Sequence, residues 1–356
     1  MGTVSAADER ALLKLARDGD EGAFGELVEA HRAQLRAHSY QMLGSVHDAE
    51  DALQEALLRA WRGLAGFEGR SSVRSWLYSI VTNAALDITR HRSRRELPVD
   101  FGPAAGEADH LGAAVTDPVW LEPYPDRWLT GDVGSSPEAV YEQRESMELA
   151  FVVALQKLPP LQRAVLLLRE VVGFSAAETA DQLGASVASV NSALQRARAA
   201  VRGGLPGSSQ QETLRELGDQ RTRAIVEKYM DAMERGDADM LVGMLTEDAT
   251  WCMPPIPTWF AGHELLREFL LRYPLSQRWK HLPTQANGQL AVGCYLFDSD
   301  VGSYVPACID VLTVAGDKIR SVVGFLSAAH EESPDARAWA ASAEVFARFG
   351  LPAEPP

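Results

Sequence analysis

Cysteine is scarce: Cys252, Cys294 and Cys308 are the only three in 356 residues, and no pair has a Cys-x-x-Cys spacing. An odd, scattered set excludes a disulfide framework and a short-loop zinc site, and it fits a reduced compartment such as the cytoplasm. Long apolar runs are missing as well; none approaches the roughly 18 residues that a membrane span needs. The opening stretch Met1-Gly-Thr-Val-Ser-Ala-Ala-Asp-Glu-Arg10 has no basic head or apolar core, so no secretory leader is expected. Eight histidines are scattered, none beside a second ligand at metal spacing. No metal and no cofactor is therefore expected. Positive charge is also short: 34 Lys and Arg stand against 49 Asp and Glu, a net charge of −15. That balance argues against loose, sequence-blind nucleic-acid binding. Any DNA contact belongs to local basic faces, or is delivered by a partner that supplies most of the affinity.

One stretch reverses the balance, because Gly184–Val201 contains no acidic residue at all. Ser175 followed by Glu178 reads as a capping box opening a helix through Leu183. Gly184 suits a turn with φ above zero, and Ser186 caps a second helix. Val187, Val190, Leu194, Ala197 and Val201 recur at helical spacing as its packing stripe. Ser189, Ser192, Gln195, Arg196 and Arg198 fall away from that stripe and can face a major groove. The pattern is a helix-turn-helix; an ordinary helical hairpin with a basic edge is the plain alternative.

Three blocks emerge around it. Residues 1–95 read as four helices, near Glu9–Arg17, Glu21–Tyr40, His47–Leu64 and Ser72–His91. Residues 96–136 break the periodicity with Pro98, Gly102, Pro103, Gly106, Gly112, Pro118, Pro123, Pro125, Gly131 and Gly134. Their charges are nearly all acidic, including Asp117 and Asp132, so the segment reads as a linker. Its centre, Val119-Trp-Leu-Glu-Pro-Tyr-Pro-Asp-Arg-Trp-Leu129, is too aromatic for a spacer and reads as a docking segment. Helices resume over 137–205, and 206–217 reads as a polar connector. Residues 218–330 mix helices with strands near Thr250–Met253, Lys280–Gln285, Gln289–Phe297, Val305–Val314 and Lys318–Phe325, an α+β grammar. A helix and tail, 331–356, close the chain. No phosphate-binding loop, nucleophile triad or metal carboxylate pair occurs in the first two blocks, so no catalytic residue is assigned there.

Taken together, residues 8–204 resemble the extracytoplasmic-function (ECF) branch of sigma-70 RNA polymerase sigma factors. Asp48-Ala-Glu-Asp-Ala-Leu-Gln-Glu-Ala-Leu-Leu-Arg-Ala-Trp-Arg62 resembles the region 2 helix that holds the β′ clamp of core RNA polymerase. The resemblance implies that Asp48, Asp51, Gln54, Glu55 and Arg59 contact polymerase; their three- and four-residue spacing puts them on one face. The segment Phe67–Arg90 is similar to the part that opens and reads the −10 promoter element. There Arg70, Trp76, Asn83, Asp87, Arg90 and Arg94 are the expected DNA residues, with Asn83 reading a base edge. Leu158-Pro-Pro-Leu-Gln-Arg-Ala-Val-Leu-Leu-Leu-Arg169 and the helix-turn-helix resemble region 4, which reads the −35 element and meets the β flap. Ser186, Ser189, Ser192, Gln195, Arg196 and Arg198 are its expected contacts.

The third block resembles SnoaL-like domains of the NTF2 superfamily, which implies a curved sheet folded as a cone. Trp251, Met253, Trp259, Phe260, His263, His281, Tyr295 and Asp310 are its candidate lining. A carboxyl such as Asp310 among apolar neighbours could serve as a base, or it could face solvent at a strand edge. The expected architecture is two all-α sigma domains followed by an α+β cone that regulates them in cis, with no separate anti-sigma protein required. Two other readings stay open: a one-component DNA-binding regulator with a ligand-sensing tail, and an isomerase-like enzyme with a DNA-binding front.

Overall fold

A computed structural model describes residues 6–115, 120–129, 137–327 and 336–356. Asp117, Pro118, Val119, Gly131, Asp132 and Gly134 of the linker, the first five residues and the start of the 331–356 tail lie outside the described residues. The backbone divides into two units. One joins Met1–Arg95 to Trp128–Pro206, and the other joins Glu96–Arg127 to Gly207–Pro356.

The first unit is helical. It opens with α1 (Ala6–Arg17), α2 (Glu21–Leu43), α3 (Val46–Gly63) and α4 (Val73–Thr89). Asp20, Ser45 and Ser72 cap α2, α3 and α4 by accepting from the amides of Ala23, Asp48 and Ser75. Gly44 ends α2 at φ 68°, a conformation that favours glycine, and a Cβ there would sit tightly, 3.1 Å from the Gln156 side chain. After the one-turn α5 (Pro98–Phe101), which belongs to the second unit, the helical unit resumes with α6 (Pro137–Glu145), α7 (Leu149–Gln156) and α8 (Pro160–Leu166). A π turn over Leu167–Val171 leads to α9 (Ala176–Gln182) and α10 (Val187–Arg202). The Ser175–Glu178 capping box is formed, Gly184 turns at φ 59°, and Ser186 caps α10. The blocks 1–95 and 137–205 share their cores. Met42, Leu43, Ala52 and Ala85 pack with Leu155, Val165 and Leu194, while Leu168 and Phe174 pack with Leu77 and Tyr78.

The second unit wraps a mixed sheet. It runs α11 (Gln210–Arg235), α12 (Ala238–Met244), β1 (Leu245–Met253), β2 (Ile256–Ala261), α13 (His263–Arg272), β3 (Trp279–Ala286), β4 (Gln289–Asp298), β5 (Ser303–Ala315), β6 (Lys318–Leu326) and α14 (Ala336–Arg348). The strand order is β2-β1-β6-β5-β4-β3, with β1 and β6 parallel and the other neighbours antiparallel. Tyr229 from α11, Trp251, Phe260, Phe269 and Leu312 fill the concave side.

Two expectations need correction. The connector 206–217 is helical from Gln210, because Ser209 caps α11 and two glutamines find buried partners. Gln210 exchanges bonds of 2.9 and 2.8 Å with the Val314 backbone, and Gln211 donates to Gly288 O at 2.5 Å. Strand β2 was not foreseen; Pro257 obscures it, and an edge position is where a strand tolerates proline.

His38 lies under α4, its Nε2 2.9 Å from Thr82 Oγ1 and its ring edge-on to Tyr78. Burial holds its pKa down to about 3, against 6.5 for a free side chain. A depressed value means stability is complete above pH 6.5 and is lost as pH falls toward 3. This residue should cost about 1.4 kcal/mol per pH unit within that window. Calorimetric melts at pH 7 and 4.5 should show a flatter loss for His38→Gln in the helical unit; an equal loss would remove His38 as the source.

Candidate functional site

Helix α10 presents Ser189, Ser192, Gln195 and Arg196 together on its exposed side, while Val190, Leu194, Ala197 and Val201 are buried. Val187 departs from the expected packing stripe and is 44% exposed, since the first turn projects past the core. Ser186 Oγ accepts the Ser189 amide at 3.1 Å, so its hydroxyl serves the cap. Arg198 donates to Glu170 at 2.5 Å and is tied to the π turn.

Asn83 of α4 is exposed, as are Arg70 before the helix and Arg90 and Arg94 after it, and Arg70 pairs with Glu68 at 3.2 Å. Trp76 is half-buried with its ring 4.9 Å from that of Phe67, so it belongs partly to the core. Asn83 Nδ2 donates to Ser79 O at 2.8 Å and reaches Gln182 O of α9 at 3.5 Å. Asp87 accepts from Arg90 at 2.8 Å and from Arg59 at 3.1 Å, joining the α3 and α4 faces in one ion-pair chain.

Asp51, Gln54, Glu55 and Arg59 are exposed on α3, with Arg59 donating to Glu55 at 2.9 Å. Asp48 is not part of that face. It is 2% exposed, paired with Arg92 and, at 2.6 Å, with the buried Arg95. The first turn of α3 points it inward, where it neutralises arginines beyond α4; this corrects the expected polymerase set. Beside the exposed residues runs a groove of about 560 Å³ lined by Phe24, Leu53, Gln54, Leu57, Leu58 and Trp61. Sequence reasoning missed the groove because its apolar residues read as core; the surplus of leucine at Leu57 and Leu58 was the available signal.

The candidate lining of the cone is brought together only in part: Trp251 and Phe260 share one core, and Met253 packs against it. Trp251 is buried and stacks 6.2 Å from Tyr229. Trp259 instead points away and donates from Nε1 to Gly102 O at 2.8 Å. His263 sits at the start of α13 with Nε2 2.9 Å from Thr246 O, and Tyr295 lies on the other face, donating to Pro352 O at 2.8 Å. His281 is buried beside Glu234, its pKa lowered to about 4 by burial. Asp310 is 3% exposed, which removes the solvent-facing alternative. Its carboxylate accepts from Tyr229 Oη at 2.8 Å, Cys294 Sγ at 3.2 Å and Cys308 Sγ at 3.6 Å. Burial raises its pKa and those three donors oppose the rise, while Tyr229 and Cys294 are held well above their ordinary values by burial.

Residues 96–127 of the linker, whose aromatic centre reads as a docking segment, are part of the second unit. Ala105 N donates to Trp259 O at 2.9 Å, and Leu121 N to Glu96 O at 3.0 Å. Trp120, Leu121 and Tyr124 are buried. Tyr124 N donates to Asn287 Oδ1 at 2.8 Å, Asn287 N returns a 2.9 Å bond to Tyr124 O, and Gly288 N donates to Asp126 Oδ1 at 2.8 Å. The clip is the β3–β4 turn, in which Asn287 takes φ 55° and Gly288 φ 67°. An Asn-Gly pair is the usual signal for such a turn, and asparagine tolerates the left-handed region.

Comparison with known proteins finds three families along the chain. The chain matches Sigma-70 region 2 over residues 27–95, Sigma-70 region 4 over 148–201 and the SnoaL-like domain over 226–322. It is 38% identical to the ECF RNA polymerase sigma factor SigG of Mycobacterium tuberculosis, covering 94% of this chain and 85% of that one. It is 30% identical to SigW of Bacillus subtilis, an ECF sigma factor, over 53% of this chain and 92% of that one. The crystal structure of the M. tuberculosis ECF sigma factor SigJ shares the fold, with TM-score 0.52 and 23% identity over 84% of this chain and 94% of that one.

The clip makes a direct prediction. Asn287→Ala leaves a buried Tyr124 amide without its acceptor, a cost of about 1–3 kcal/mol. Hydrogen exchange over 120–127 should quicken by about 10- to 100-fold while β4 and β5 stay protected. Unchanged exchange in that segment would mean the bonds do not hold the linker.

Proposed function

Because the chain belongs to the ECF RNA polymerase sigma factors, we propose that its helical unit joins core RNA polymerase and directs it to a two-part promoter. The observation that carries this is the exposed, acid-free face of α10 in a chain of net charge −15. Ser189, Ser192, Gln195 and Arg196 read the −35 element, with Arg198 released from Glu170 to reach phosphate. Arg70, Asn83, Arg90 and Arg94 serve the −10 element, with Trp76 as a partial platform and Asp87 holding the arginines. Asp51, Gln54, Glu55 and Arg59 meet the β′ clamp, and the neighbouring groove receives apolar side chains of the same partner. The region 4 block meets the β flap. The chain acts as a regulator rather than a catalyst, and a one-component regulator would leave the α3 face and groove without a task.

The C-terminal unit regulates in cis through the linker it grips, so that no separate anti-sigma protein is required. Support comes from the Tyr124–Asn287 bonds: the segment joining the two promoter-reading blocks is held by the third.

Run-off transcription with core polymerase, on promoters selected from a random library, tests both ideas. The full chain and Asn287→Ala should both initiate, at rates differing severalfold. Initiation by neither ends the sigma reading, and equal rates end the coupling through the clip. For DNA itself, Arg196→Ala should lower the slope of log affinity against log salt by about one unit as a lost phosphate contact. An unchanged slope removes Arg196 from that role.

A further inference from the structure

Inside the cone, chemistry gathers that neither promoter recognition nor the linker clip uses. Cys294 on β4 faces Cys308 on β5 across the antiparallel ladder, and Asp310 follows two residues later on the same face of β5. All three are buried, and one ligand atom from each lies within 4.8 Å of the others. Tetrahedral zinc, with Zn–S about 2.3 Å and Zn–O about 2.1 Å, requires S–S edges of about 3.8 Å and S–O edges of about 3.6 Å. Cys294 Sγ lies 3.2 Å from Asp310 Oδ2 and Cys308 Sγ 3.6 Å from Asp310 Oδ1, so each thiol meets its own carboxylate oxygen at about such an edge. Tyr229 Oη holds the carboxylate from α11, as an outer partner orients a metal-binding carboxylate. Gly324, opposite Asp310 in the β5–β6 ladder, leaves the space that the carboxylate takes, since a Cβ there would lie 2.8 Å from Asp310 Oδ1.

We infer that Cys294, Cys308 and Asp310 form a binding site for a thiophilic divalent cation of the zinc type. Binding breaks two S–H bonds and forms two metal–sulfur bonds. Two protons leave as two positive charges enter, so the buried cluster carries the same net charge before and after. Softness of the donors selects against magnesium and calcium, which prefer all-oxygen sets. The ligands sit on β4 and β5, and β4 begins at the turn that grips the linker, so occupancy stiffens the strand behind the clip.

Cadmium alone is a suitable probe because its thiolate bonds absorb in the near ultraviolet. The full chain, kept reduced with a phosphine, is refolded from urea with one equivalent of Cd²⁺. A charge-transfer band saturating at one equivalent, with two protons released per chain, is expected. Cys294→Ser and Cys308→Ser should lose the band, while Cys252→Ser keeps it. As either serine variant could fail to fold, alkylation of the unaltered chain gives a second readout. Cadmium should slow modification of Cys294 and Cys308 by about tenfold or more and leave Cys252 unaffected. Absence of the band in the refolded chain, its survival in Cys308→Ser, or equal protection of all three thiols overturns the site.

Discussion

A buried peptide group must find a partner, and the Asn287–Gly288 turn supplies what the linker needs to leave water. Without the Asn287 side chain and the amides of Asn287 and Gly288, the segment around Tyr124 would bury polar atoms at a loss. With them, Trp120, Leu121 and Tyr124 add apolar burial to the second unit. The same turn also receives Gln211 of α11 on Gly288 O. One hairpin tip therefore fastens both chain segments that run between the two units, and the C-terminal unit acts on the linker by geometry before any ligand is considered.

Charge is handled in a parallel way. An acidic chain that reads DNA must keep its arginines from being neutralised at random, and α10 does so by excluding carboxylates from its own sequence. Around α4 the arginines are instead sorted by partner. Arg95 and Arg92 are committed to the buried Asp48, whereas Arg90 shares Asp87 with Arg59 in a solvated pair worth little by itself. Breaking the buried group would strand a charge, but exchanging a surface pair for phosphate costs little. The exposed pairs are the ones suited to release on DNA.

Much of this was legible in the residues. Ser175 with Glu178, Ser72 and Ser186 mark helix starts because a side-chain oxygen satisfies free amides wherever the helix ends up. The packing stripe of α10 and the strands of the third block follow from period. What periodicity cannot give is direction. Asp48 and Asp51 are spaced alike for a shared face, yet only the position of Arg92 and Arg95 turns one inward. Tyr295 and Cys294 are adjacent and point to opposite faces, a parity set by a register next to a bulge. The Cys294–Cys308–Asp310 cluster has no metal-like spacing, because its members meet across a ladder rather than along a loop. The aromatic centre of the linker marks it for docking, but composition says nothing about which surface receives it, here a turn 163 residues away.

The interior of the helical unit bears on initiation as well. Gln182 of α9 donates to Ser75 of α4 at 2.8 Å and its carbonyl is approached by Asn83, while Arg74 lies 4.8 Å from the Phe174 ring centre. The helix proposed for the −10 element thus touches the helix-turn-helix proposed for the −35 element. Elements so named lie about 25 base pairs apart, roughly 85 Å at about 3.4 Å per pair. Helix α10 has 16 residues, about 24 Å at about 1.5 Å each, and cannot bridge that distance from α4. On the proposed reading the α4–α9 contact is therefore broken whenever both elements are engaged. Its polar bonds exchange readily for water, but the packing of Leu168 and Phe174 against Leu77 and Tyr78 does not. Binding energy from the polymerase must replace that burial, so on this reading an acidic factor depends on core polymerase to open as well as to reach DNA.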